Sequence, residues 1–230
     1  SPKIRIIESH WNDSMQDRGY VYGQQKMIAQ FNCTGDWAFY IEGDEIYHEN
    51  ELDKIKKSME MHLNDPNVEA LVFDFHHFYG NANTILNSPG WYRSEARIIK
   101  NSVRSYAPDG LFWLVLDSNK KGRYPRAKHT GANCYHYGWV RSEEEMNLKS
   151  NKVQKYWGRS PVNIDYSQID QSIIKKFGGT HPKIVKDWLP KDDGLYIADS
   201  SYKLTQKQKK HRAMIKLENF FGLELSKKHY

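Results

Sequence analysis

The sequence has 230 residues, 39% of them hydrophobic, with 7 Trp, 15 Tyr and 9 Phe, which suffices for a large buried core and argues against a disordered chain. Its formal net charge of +6 draws anions such as phosphates, acidic glycans, nucleic acid or anionic lipid without choosing among them. Two distant cysteines, Cys33 and Cys134, exclude a disulfide framework or zinc ribbon and fit a reducing cytoplasm, and neither a bilayer-length apolar run nor a signal-peptide pattern is present.

In chain order, Lys3 to Ile7 (KIRII) reads as a strand entered with no preceding turn or cap, as though an upstream segment had been cut away. Glu8 to Gly19 is polar and loop-like. Tyr20 to Phe31 carries helical apolar spacing at Val21, Met27, Ile28 and Phe31. Trp37 to Ile41 is a β-prone run that ends in Glu42, Asp44 and Glu45, set around Gly43. Asn50 to Leu63 follows as an amphipathic helix with Leu52, Ile55, Met59 and Leu63 on one stripe. After an Asp65-Pro66-Asn67 turn, Ala70 to Phe78 is again a strand.

This alternation predicts an α/β sheet with parallel members. In the second half, Arg97 to Lys100, Leu111 to Leu116 and Asn133 to Val140 are short strand candidates. Helices are predicted over Ser142 to Tyr156, over Gln168 to Phe177 with Gly178-Gly179 as its stop, and over Thr205 to Phe221 between a Thr205 cap and a Gly222 terminator. A boundary within Lys191 to Ser201 divides a domain of residues 1–190 from a linker and basic helix over 191–230.

The carboxylate turn carries the chemistry. Glu42 and Asp44, two residues apart, can point the same way into a crevice at the carboxyl end of their strand, where open α/β sheets bind ligands. Such oxygens suit a hard cation, Mg²⁺ or Mn²⁺, that completes its shell with substrate phosphates. The competing reading is a strand followed by a solvated acidic corner.

Gly35 to Leu52, GDWAFYIEGDE followed by IYHENEL, resembles the gDW-strand-DxDE segment of family-2 glycosyltransferases with the GT-A fold, in the branch like lipopolysaccharide-core glucosyltransferases. Glu42 stands where that family has Asp. Cys134 to Tyr156 is similar to the family's stretch in which a histidine on a late strand precedes an aromatic, a serine and a lysine-bearing helix. Trp91 to Lys100 (WYRSEARIIK) resembles its R-L-hydrophobic-basic strand.

The resemblance covers residues 3 to 160. It implies a GT-A-like mixed, largely parallel sheet flanked by helices, with a C-terminal helical extension and with the family's nucleobase-binding first strand and helix lying before Ser1. It further implies a metal-dependent, inverting hexosyl transfer from a nucleotide diphosphate sugar to a saccharide or glycoconjugate hydroxyl. Asp44, Glu42 and His136 would be the metal ligands, and together with Arg97 they would bind the donor. Glu95 is the candidate base for the acceptor hydroxyl, with Asp109 its competitor.

Trp91, Tyr92 and Trp139 can stack on an acceptor sugar. His76 and His77 alternate across their strand, so at most one faces a given site, and each reads as a satisfied or surface histidine. His181, in a Gly178-Gly179-Thr180-His181-Pro182 turn, is a further candidate.

Two other classes compete. A two-metal nucleic-acid enzyme could use Glu42, Asp44, Asp74 and the histidines, although the basic residues lie scattered or in the final helix and no specific nucleic acid is expected. A non-catalytic scaffold could keep the fold without a complete donor site. In the final helix, Met214, Ile215, Leu217, Phe220 and Phe221, with Lys207, Lys209, Lys210 and Arg212, could lie on an anionic membrane or pack against the body.

Overall fold

The computed structural model describes residues 2–189 and 194–230. Lys191 to Asp193, the start of the expected domain boundary, fall outside them.

The chain builds a seven-stranded sheet from β1 (Trp37–Phe39), β2 (Glu45–Tyr47), β3 (Ala70–Tyr79), β4 (Asn81–Leu86), β5 (Ser94–Lys100), β9 (Ala127–Trp139) and β10 (Ile174–Lys176). A small second sheet holds β6 (Ser105–Tyr106), β7 (Leu114–Leu116) and β8 (Gly122–Arg123). Among the described residues four α-helices accompany them, α1 (Tyr20–Phe31), α2 (Leu52–His62), α3 (Glu143–Tyr156) and α4 (Gln206–Phe221).

β3 lies at the centre because its run ALVFDFHHFY can be buried on both faces. Along one edge β5 pairs with Ala70 to Asp74, and β4 takes over at Phe78 and Tyr79. Along the other edge runs β9, the one parallel partner in this sheet. All other pairings in it are antiparallel, so the sheet is mixed, as expected, but mostly antiparallel where a largely parallel one was expected. The cause is connectivity. β3 and β4 form a hairpin through Gly80, whose φ of 70° suits glycine, and β5 inserts antiparallel between β1 and β3. The strand, helix, strand order of β1, α2 and β3 is therefore real, with β1 and β3 running the same way, but they are not neighbours.

Alternation along β3 sends Leu71, Phe73 and Phe75 to one face with Ile55 of α2, and Ala70 and Val72 to the other with Met27 of α1 and Trp113. Each fully buried Leu, Ile or Phe stabilises the fold by roughly 1.5–3 kcal/mol.

The predicted α1, α2, α3, α4 and β3 all form, and the strand expected over Asn133 to Val140 is the end of the longer β9. Lys3 to Ile7 is not a strand but a turn running into irregular backbone, with Ile4 and Ile6 70% and 84% exposed. Gln168 to Phe177 is not a helix. Asp170 accepts from the Ser172 N–H and hydroxyl, which limits the helical segment to one 3₁₀ turn over Gln171–Ile173, and the β-branched Ile174 then opens β10 against β4.

α3 and α4 start at capping boxes, Ser142 with Glu145 and Thr205 with Gln208. α4 is bound to the body: Arg93 donates twice to Glu218, each bond 2.8 Å long, and Arg212 donates twice to the buried Asp170.

Candidate functional site

The acidic residues form a reverse turn between β1 and β2, closed by the Glu45 N–H donating to the Glu42 carbonyl at 3.0 Å. β2 then pairs with β9 so that Glu45 lies opposite His136. The Tyr137 N–H donates to the Asp44 carbonyl at 2.8 Å and pins the turn to β9. The chain thus brings the turn and the histidine together across 92 residues of sequence, from Asp44 to His136, by a backbone ladder.

Adjacent carboxylates leave this turn in different directions. Glu45 goes inward to Arg97, whose guanidinium donates to both Glu45 oxygens at 2.5 to 3.1 Å, and both side chains are fully buried. Glu42 leans toward the same guanidinium at 3.6 Å. Burial pushes the Glu42 carboxyl up to about 7, against the pull of Arg97. Arg97 is accordingly held by carboxylates inside the protein and does not reach outward to a ligand.

Asp44 faces a cleft. Lys149 of α3 donates to its Oδ2 at 2.6 Å, and His136 Nε2 stands 3.7 Å from its Oδ1. Burial pushes the Asp44 carboxyl up, but the adjacent His136 and Lys149 outweigh it and leave the group below its ordinary value. Gly138 keeps this corner open: a Cβ there would lie 2.6 Å from His136 Nε2 and 2.8 Å from Asp44 Oδ2.

Behind His136 lies His77 of β3, placed opposite it by the parallel β3–β9 register. The two Nδ1 atoms are 2.9 Å apart, and His77 Nε2 is 2.7 Å from the Tyr92 carbonyl oxygen. Burial pulls the His77 imidazole down to about 3 and holds His136 below its usual range.

Two adjoining cavities share Glu42, Asp44, Lys149 and Val153. One, of about 400 Å³, has aromatic walls from Tyr22, Tyr40, Tyr92 and Trp157. The other, of about 720 Å³, is bordered by Arg141, Lys149 and Lys152 on and beside α3. The cleft therefore has an acidic floor, one cationic wall and one aromatic wall. An anion with a flat or sugar-like portion suits this arrangement.

A divalent cation fits part of the set. Asp44 oxygen and His136 nitrogen converge on the corner that Gly138 leaves free. Glu42 leans toward Arg97, and among the described residues no three His, Cys, Asp or Glu side chains assemble at metal-ligand spacing.

The remaining expected residues lie elsewhere. Glu95 is fully buried, 2.6 Å from His229 Nδ1, and lines neither cavity of the cleft. Asp109 accepts from the N–H groups of Leu111 and Phe112 and so holds its own loop. Of the three aromatics, Tyr92 reaches the cleft. Trp91 and Trp139 touch each other and line a separate cavity of about 300 Å³ beneath the start of α4.

His76 meets Tyr135 and Phe177 edge-to-face, and His181 bonds the Tyr137 hydroxyl among the same rings. Asp74 is exposed beside His129, away from the cleft. Lys149, which had no expected role, lines the cleft, while His77 stands behind His136 outside both cavities with both ring nitrogens partnered, as a satisfied histidine. The signal for Lys149 was present but weak: a lysine one turn above Glu145 on a capped helix.

The chain matches no known protein-family model, and no curated protein is similar to it.

Proposed function

We propose that this chain is a glycosyltransferase of GT-A type that moves a hexose from a nucleotide diphosphate sugar to a hydroxyl of a saccharide or glycoconjugate. The observation that carries this reading is the convergence of Asp44 and His136 at the lip of a cleft walled by Arg141, Lys149 and Lys152 on one side and by Tyr22, Tyr40 and Tyr92 on the other. A diphosphate suits the cationic wall, a nucleoside or sugar ring suits the aromatic one, and the carboxylate–imidazole pair would hold Mn²⁺ or Mg²⁺. When bound, the cation neutralises charge on the departing diphosphate.

Asp44 and His136 are its protein ligands in this reading. The sparse set suits a cation that takes much of its shell from water and phosphate oxygens. Lys149 holds Asp44 in the free protein and can turn to a phosphate oxygen when the site fills. Glu45 and Arg97 keep the turn in shape from beneath. Glu95 and Asp109 have no part in the transfer.

Calorimetric titration with Mn²⁺ and a panel of nucleoside diphosphates tests this. Binding that needs Mn²⁺ and vanishes in Asp44→Ala is expected. No heat with any nucleotide would leave a scaffold without donor binding, and steeply salt-dependent binding to DNA or RNA instead would point to a nucleic-acid protein.

A further inference from the structure

We propose that His77 is a positioning residue that holds His136 in the Nδ1–H tautomer, so that the lone pair of His136 Nε2 faces Asp44. The structure contains a chain of three groups: the Tyr92 carbonyl, the His77 ring and the His136 ring, joined by contacts of 2.7 and 2.9 Å. Its first member sets the direction of the rest. A backbone carbonyl only accepts, so His77 Nε2 carries a hydrogen. The His77 ring is 2% exposed and packed against Phe75, Trp91 and Tyr92, a setting that disfavours a second proton. His77 Nδ1 is therefore bare.

At 2.9 Å the facing His136 Nδ1 must donate, because two bare nitrogens at that distance would repel and leave two buried acceptors unpaired. In neutral His136, Nε2 then has no hydrogen. It points to the corner bounded by Asp44 and left open by Gly138. A bare imidazole nitrogen beside a carboxylate is the electronic form a divalent cation requires, and such ligands are oriented by the partner of the other ring nitrogen.

β-sheet register explains why His77 can do this. His77 and His136 are opposite one another in the parallel β3–β9 ladder, so both rings project to the same face. His76, one residue away, projects to the other face and meets Tyr135 and Phe177.

The tautomer stands on these contacts alone, while its use in holding a cation rests on the proposed function, so the test has two readouts. In the full-length chain labelled with ¹⁵N-histidine, His136 is identified by loss of its signals in His136→Gln. The expected spectrum shows His136 with Nδ1 protonated and Nε2 bare. In His77→Phe that preference is lost and Nε2–H becomes the main form. His77→Gln, which offers one acceptor and one donor, restores it. A wild-type His136 protonated at Nε2, or a tautomer unchanged in His77→Phe, overturns the proposal. If His77→Phe does not fold, the wild-type spectrum and His77→Gln still decide it.

The second readout is titration with Mn²⁺ alone. Affinity about 10–100-fold weaker in His77→Phe and recovered in His77→Gln is expected. Equal affinity in all three proteins removes the positioning role. Absence of Mn²⁺ binding by the wild type removes the cation from the proposed function, and the tautomer is then judged by the spectrum.

Discussion

Two of the carboxylate–histidine pairs in this molecule, Glu95 with His229 and Asp44 with His136, differ in how completely they are satisfied. Glu95 and His229 are 2.6 Å apart, 0% and 7% exposed, with Phe112 stacked on the imidazole and Tyr124 at its edge. Asp44 and His136 are 3.7 Å apart, 19% and 12% exposed, with Lys149 sharing the carboxylate and a cleft in front. Nothing can reach the first pair without unpacking the C-terminal segment. The second has the corner beside Gly138 and a partly exposed Lys149 as its cation. A carboxylate whose bonding is complete inside the protein contributes structure, whereas one held by an exchangeable lysine can trade that partner for a ligand.

The sharpest way to break this comparison is to remove each pair in turn. Under the proposed function, Asp44→Ala is expected to lower glycosyl transfer by about 10²–10³-fold, as loss of a charge-stabilising group does. Its urea midpoint should stay near that of the wild type. Transfer assays beside denaturation curves check this, and an Asp44→Ala protein that transfers normally or unfolds would reverse the roles assigned to the two pairs.

His229→Ala is expected to do the opposite. It strands the buried Glu95 carboxylate and should cost about 2–3 kcal/mol of unfolding free energy while leaving Mn²⁺ affinity unchanged.

Lys26 links the two regions, since it lies behind the cleft and feels both Glu42 and Glu95. Its Nζ sits 3.6 Å over the Trp113 ring and 3.3 Å from each of the Gly110 and Leu111 carbonyls. Burial pulls it from 10.5 down to about 7. Between those values the unfolded chain holds a proton that the folded chain does not, so this residue makes stability climb with pH, approaching about 1.4 kcal/mol per pH unit, and its contribution is lost as pH falls toward 7. Urea unfolding of Lys26→Met at pH 7.5 to 9.5 (a range of roughly this window) should lack that climb.

The smallest effect belongs to the outer side of α4, where Phe220 and Phe221 are 80% and 61% exposed while Glu218 is bonded inward to Arg93. Phe220→Ser should change stability by no more than about 0.5 kcal/mol. Flotation with anionic vesicles that is lost in this variant would support the membrane role for the helix. Equal flotation, or none, would assign α4 to packing alone.

Local chemistry was legible in the sequence wherever a short stretch decides its own structure. The apolar spacing of α1 and α2, the caps of α3 and α4, the β-rich run of β3 and the glycine-centred turn after β1 each depend on residues within a few positions of one another. His136 was pointed to only by the family resemblance of its segment, whereas Asp44 was singled out this way, and so was the mixture of helix and strand. Everything that depended on register was not. Asp44 and Glu45 are adjacent and chemically similar, yet one faces the cleft and the other is buried on Arg97. Glu95 looked available for proton transfer until the C-terminal segment covered it. Trp91 and Tyr92 are neighbours that line different cavities. A strand turns successive side chains to opposite faces, and long-range pairing chooses which face meets which partner. The sequence by itself therefore determined which groups the molecule owns and where the chain bends. Only the tertiary structure decided which of them share a cleft, because that depends on strand pairing between residues far apart along the chain.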